Sequence, residues 1–300
     1  MTSALRSPLV RTPPATAATS LGDAVASVAR TYAARMNASA FAVALRSGRL
    51  AQADYLAFVT LMYPAVVGFN RALIRSIAKV DHVRNSPFVR SLAKQLEEEQ
   101  AHNQLWRAKL DAFGIDHEAV YADLETYLAR FSRAELDAMT AAVIARVTVE
   151  LSHGDGGVFP DAPFPDAILA LYHQLWMSAS DDNIGYWEHF ASQASIEMII
   201  FDVVSSSILP GVSGNPEFDL GPVTTAWWRE HGELPGQENE FSEEKRHLEL
   251  SRIALDRSDE AATMRGRVLA RAEDAMRLFA ASLLCQPLAA GEFRVDRYRQ

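Results

Sequence analysis

Apolar residues recur three and four apart along most of this chain, and they nowhere keep up the every-second-residue rhythm of a half-buried strand. The plainest case is Tyr55, Phe58, Met62, Ala65, Val66, Phe69, Leu73 and Ile77, which predicts a helix over 51–79, with a kink where Pro64 and Gly68 interrupt it. A helix over 24–45 precedes it, with Asp23 as cap and Gly48 beyond its end. Ser86 as cap and Pro87 at the first helical position then predict a helix to Phe113, stopped by Gly114. Shorter helices follow over 117–130 and 132–151, the second opened by Ser132 and Glu135 at capping-box spacing. The glycine- and proline-rich run 153–165 reads as a loop, and because no strand precedes it, it is not a nucleotide-binding turn. Helices over 167–179 and 184–207, a turn-rich stretch 211–235 that holds Trp227 and Trp228, and a last pair over 240–256 and 259–284 complete the pattern. The expected fold is an all-α single-domain helical bundle.

Composition narrows the function. A formal charge of -9 with no Lys/Arg-rich run gives nucleic acid no footing. The one cysteine, Cys285, excludes an internal disulfide framework and a cysteine-based zinc site, which fits a cytoplasmic chain. Residues 1–20, rich in Ala, Thr, Ser and Pro, lack the form of a secretory signal and read as a disordered lead-in; 291–300 read as a tail. No run of eighteen uninterrupted apolar residues occurs, so no membrane span is expected.

The chemistry concentrates in a few carboxylates and imidazoles. In Leu96-Glu-Glu-Glu-Gln-Ala-His102, Glu99 is three residues and Glu98 four residues before His102, so either can share its helix face. Glu197 lies in an apolar helix where Glu188 and Asp202 project elsewhere, so no solvent stripe explains it; pointing inward, it must be paired, protonated or metal-bound. Glu240, Glu244 and His247 repeat the spacings of four and three, with Glu243 a competitor. Glu150 and His153 form a third pair beside the glycine-rich break. His82, His117, His173, His189 and His231 lack a partner at ligand spacing and read as structural or exposed. Trp106, Tyr172, Trp176, Trp187, Trp227 and Trp228 are core material first and cavity walls second.

Glu99-Gln-Ala-His102, the Ile196-Glu197-Met198 helix and Glu240-x-x-x-Glu244-x-x-His247 together resemble the haem-oxygenase-like diiron oxidase and oxygenase superfamily over 24–113 and 184–284. In that family the last motif is His-x-x-x-Asp-x-x-His, so here Glu240 stands for the first histidine and Glu244 for the aspartate. The middle, 115–180, is enlarged. The resemblance implies a helical metal-dependent domain over 21–290, with Glu99, His102, Glu197, Glu244, His247 and Glu240 holding two iron ions. Dioxygen is then the co-substrate, an external reductant supplies electrons, and a small amine, amino acid or carboxylic acid is oxidised, with a homodimer as the candidate assembly. Three rival expectations stand beside it. One is a ferritin-like diiron enzyme that adds Asp54, another a metal-free relative of the thiaminase and cofactor-synthesis branches of the fold, and the last a non-catalytic helical interaction protein. A true haem oxygenase is disfavoured because the first eighty-one residues hold no histidine for a proximal ligand.

Overall fold

Helix starts follow local side-chain chemistry, and two differ from expectation. In a computed structural model of the protein, which describes residues 19–81, 86–146, 164–237, 243–284, 293 and 295–300, the Ser20 hydroxyl accepts the Asp23 amide at 3.1 Å. Asp256 accepts the Gly22 amide at 2.6 Å, so α1 (Leu21–Ala38) starts before Asp23, which becomes a first-turn residue. Ser39 (φ -64°, ψ 155°) then breaks the expected 24–45 helix and caps α2 (Ala40–Arg46) by accepting the Ala42 amide. Of the expected lead-in 1–20, only residues 19 and 20 are described. Glu150, His153, Glu240 and Cys285 also lie outside the described residues.

The remaining elements are α3 (Gln52–Ile77), α4 (Ser86–Ala112), α5 (His117–Leu128), α6 (Arg133–Arg146), α7 (Asp166–Ser180) and α8 (Tyr186–Val203). A π-helical turn over Val204–Ile208 leads into α9 (Leu209–Val212), followed by α10 (Pro222–Glu230), α11 (Glu243–Arg257), α12 (Asp259–Thr263) and α13 (Arg265–Leu284). The expected 259–284 helix is therefore two, parted at Met264. Among the described residues there is no strand; Ile115 and Arg299 form an isolated bridge. The chain is a single-domain all-α bundle.

α8 forms its axis. Every residue from Tyr186 to Ile199 is buried, and α1, α7, α11 and α13 pack around it. α3 lies against α7, α4 and α5, and continues as one helix through Pro64. Gly68 serves contact: a Cβ there would stand 2.6 Å from the Tyr172 ring of α7. The middle of the chain is thus not a mere insertion, since α7 is a core helix between α3 and α13. Nor is the C-terminus loose. Tyr298 is buried, its hydroxyl donates to Asp123 at 3.0 Å, and its carbonyl accepts the Asp116 amide at 2.7 Å. Two helical runs, Gln52–Ile77 and Tyr186–Val212, are long and apolar enough to cross a bilayer, but 83% and 67% of their apolar windows are buried against other helices.

One face of α4 carries Glu99, His102, Trp106 and Lys109 at intervals of three, four and three. Lys109 is fully buried at the lower end of this stripe, with its amine 3.6 Å from the Trp228 ring centre, 4.1 Å from that of Trp106, and no hydrogen-bond partner. The ring faces attract a cation. Burial nevertheless pushes the Lys109 amine well below its ordinary 10.5. Between that lowered value and 10.5 the unfolded chain holds a proton that the folded chain lacks, so the protein gains stability as pH rises through this window. Urea unfolding at pH 7 to 10 is expected to show the gain in the wild type and not in Lys109→Met; parallel curves overturn it.

Candidate functional site

Two helix faces and one helix end meet beside α8. Glu99 and His102 come from α4, Glu244 from the first turn of α11, and His231 from the C-cap of α10. One donor atom from each of these four lies within 4.8 Å of all the others, and the residues are only 3–7% exposed. His102 Nδ1 is 3.5 Å from Glu99 Oε2, and His231 Nε2 is 3.6 Å from Glu244 Oε1. These four are the described residues that could hold a metal ion.

Of the sequence candidates, Glu99, His102 and Glu244 enter this group. Glu98, a 100° step around α4 from Glu99, does not. It meets His247 instead, Oε2 to Nε2 at 2.7 Å, and its other oxygen takes Lys94 at 2.8 Å and Arg246 at 3.1 Å. His247 is therefore occupied by a carboxylate next to the group rather than joined to it. Glu197 borders the same cavity as Glu99, His231 and Glu244 but stands outside the four. Gln95 donates to its Oε1, while its Oε2 has no partner. Asp54 sits in the first turn of α3, two turns before Met62, the first α3 residue of the cavity wall.

His231 was not among the expected ligands, because it lacks a partner at ligand spacing along the chain. Its helix has local signals, a Gly221-Pro222 start and a Gly232 stop, although they say nothing of what the helix faces. Gly232 lets the chain press against the π-helical turn: a Cβ there would lie 2.6 Å from Val204 Cγ1. The Glu233 amide then donates to Ser205 Oγ at 3.0 Å. Trp227 stacks on the His231 ring at 3.6 Å between centres, and its carbonyl lies 2.9 Å from Nδ1. That contact assigns the proton to Nδ1 and leaves the Nε2 lone pair facing Glu244.

Burial governs the protonation states. It pushes His231 well below the ordinary histidine value, helped by neighbouring His102, so His231 is neutral. Burial also lowers His102, but Glu99, 3.5 Å from its Nδ1, and then Glu244 favour the charged form more strongly and leave the imidazole raised. Glu197 is pushed well above the carboxylate range by burial, then by repulsion from Glu99 and Glu244. Glu244 rises to about 8, from burial first and Glu99 second. A neutral imidazole with its far nitrogen pinned, a second imidazole and two carboxylates are a donor set suited to a divalent transition metal. His102 Nδ1 and Glu244 Oε1, buried without hydrogen bonds, are atoms that such an ion would satisfy.

The cavity beside the group has a volume of about 50 Å³. Its walls are mainly apolar, with Met62 and Phe69 from α3, Leu171 and Leu175 from α7, and Ile196 and Ile200 from α8. Trp106, Trp227 and Trp228 close one side. The other expected aromatic walls lie elsewhere, Trp187 stacking on Phe88 and Trp176 lying under Arg71 and Arg75. His117 and His173 pair with Asp111 and Asp137.

A carboxyl whose value is raised on folding binds its proton more tightly in the folded chain. In the metal-free protein, Glu244 thus withdraws stability as pH rises from its ordinary 4.5 toward about 8. Chemical unfolding at intervals across that window is expected to fall less steeply for Glu244→Gln than for the wild type; equal slopes contradict the assignment.

No family model matches the chain, and no curated protein matches it. Among solved structures it is similar to a TenA homologue from Pseudomonas syringae pv. tomato str. DC3000, at 15% sequence identity and a TM-score of 0.53 over 87% of this chain and 90% of that one. Likeness at this identity concerns the fold: the chain has a TenA-like all-α architecture, related to the haem-oxygenase-like bundle.

Proposed function

We propose that the chain is an enzyme that uses one metal ion, held by Glu99, His102, His231 and Glu244, to oxidise a small molecule in the buried cavity with dioxygen. The observation that carries this reading is the convergence of four buried donor atoms within 4.8 Å, two of them without any other partner. A compact set of four suits one ion. The two-iron expectation needs further ligands, and Glu197 and His247 lie outside the four, His247 on Glu98. Ferrous iron in such a nitrogen and oxygen set supplies one-electron and dioxygen chemistry when bound.

The chain's own residues do the rest. The Trp227 carbonyl fixes the His231 tautomer. Asn70 donates to the Glu99 carbonyl at 2.7 Å and ties α3 to α4 at the level of the site. Glu244 gives up its proton on binding a cation, because a carboxylate and not an acid is the ligand. Glu197, anchored at one oxygen by Gln95, keeps a proton beside the reacting space, where it can be passed to or taken from a substrate. Apolar walls exclude water and so prevent competing reactions.

A second reading is a metal-free enzyme of the TenA-like fold. What favours it is the fold likeness together with Glu244, whose carboxyl, raised to about 8, can serve as a general acid at neutral pH. Anaerobic loading with ferrous iron separates the two. About one bound ion per chain is expected for the wild type and for His247→Ala, and none for His102→Ala or His231→Ala, with folding checked by circular dichroism. Oxygen uptake by the loaded wild type completes the support. Failure of the well-folded wild type to bind iron overturns the metal reading and leaves the acid-catalysed one.

A further inference from the structure

Among the described residues of the cavity wall, one side-chain N–H is uncommitted. Four of these residues carry a side-chain N–H: Trp106, Trp227, Trp228 and His231. Three of these groups are engaged within the protein. Trp106 Nε1 donates to the Val59 carbonyl at 3.0 Å, Trp228 Nε1 to the Tyr55 hydroxyl at 3.0 Å, and His231 Nδ1 to the Trp227 carbonyl at 2.9 Å. Trp227 Nε1 has no partner, although the residue is 95% buried, its exposure being 5%. An N–H in that position is costly until something accepts from it.

Among the described wall residues, the remaining polar groups are the carboxyls of Glu99, Glu197 and Glu244, and there is no lysine or arginine. A divalent ion held by Glu99 and Glu244 as carboxylates would be balanced by their two charges, so an anionic ligand meets no surplus positive charge. An ammonium ligand meets acceptors, but it brings only donors and leaves Trp227 unpaired. The size is also restrictive: about 50 Å³ is a fraction of the roughly 150 Å³ of a cavity that takes benzene.

We propose that Trp227 anchors the substrate through its indole N–H, and that the substrate is a compact, uncharged and mainly apolar molecule with one hydrogen-bond-accepting oxygen, such as a short ketone or ether. This rests on the reading of the cavity as the active site and narrows its substrate class. Trp227 is well placed for the role, since its ring stacks on His231 and its position is set by the same helix end that brings His231 to Glu244. An oxygen held at Trp227 orients the apolar remainder of the molecule within the space shared with Glu197 and Glu244.

The test uses the full chain with its five tryptophans labelled with nitrogen-15, and four small probes of three carbons each: acetone, propane, propanoate and propylamine. The indole signal absent from Trp227→Phe is expected to move downfield with acetone and to stay in place with propane. In Trp227→Phe the affinity for acetone is expected to fall about tenfold, while that for propane does not fall. An unmoved Trp227 signal in the ketone-bound wild type overturns the proposal without recourse to the variant. So does tighter binding of propanoate or propylamine than of the ketone, or binding of none of the four. Ferrous loading is scored separately. Iron uptake with an indifferent Trp227 sinks this inference alone, and a responsive Trp227 in a chain that takes up no iron sinks the metal reading alone.

Discussion

Three carboxyl groups and two imidazoles buried side by side in an apolar helical core are the constraint on which the rest of the structure turns. Burial first, and then repulsion from neighbouring Glu99, disfavours the ionised forms of Glu197 and Glu244. Protons relieve this conflict in part, and His102, raised toward its charged form by the same neighbours, relieves more. A bound cation would relieve it further. The arrangement costs folding free energy, which a protein ordinarily tolerates at a place of chemistry rather than in a structural core.

Rigid elements hold these groups. Glu99 and His102 stand on the face of a 27-residue helix whose stripe continues into Trp106 and Lys109, so the site and the tryptophan cluster share a single framework. α10 lies across that stripe, with Trp106, Trp227 and Trp228 meeting edge to face at 4.6–5.0 Å. Pressed between the cluster and the π-helical turn at the end of α8, the short α10 has little freedom, and His231 at its end inherits that precision. A π turn at the end of the axial helix widens its last turn where Val204 and Ile208 enter the cavity wall.

Glu98 and His247 make a contrasting pair. They lie one residue and three residues from members of the central group, yet satisfy each other, with Lys94 and Arg246 balancing the carboxylate. Burial alone would raise Glu98, but Lys94 and His247 bring it below the ordinary value. Partly exposed and paired, it behaves as an ion pair that ties α4 to α11. Adjacent glutamates on one helix thus have opposite environments, because a 100° turn separates the flank from the cavity.

Much of this was legible in the residues. Periodicity marked α3, α4, α7 and α8, because apolar spacing is a local consequence of which helix face is buried. Glu99 with His102 followed from helical spacing, and the inward direction of Glu197 from the lack of any polar stripe around it. The break at Ser39 and the parting of α12 from α13 were not legible, since a single capping hydroxyl or a stray non-helical residue leaves the apolar rhythm almost intact. His231 marks the sharper limit. It stands 129 residues beyond His102, outside any ligand-spaced motif, and only the packing of α10 on α4 brings their rings to 4.3 Å. His247 carried the more suggestive spacing and was taken by Glu98. Spacing along one helix determines which residues can share a face, and it was read correctly as that; which faces meet is decided by the packing of helices far apart in sequence, and in this protein that packing chose His231.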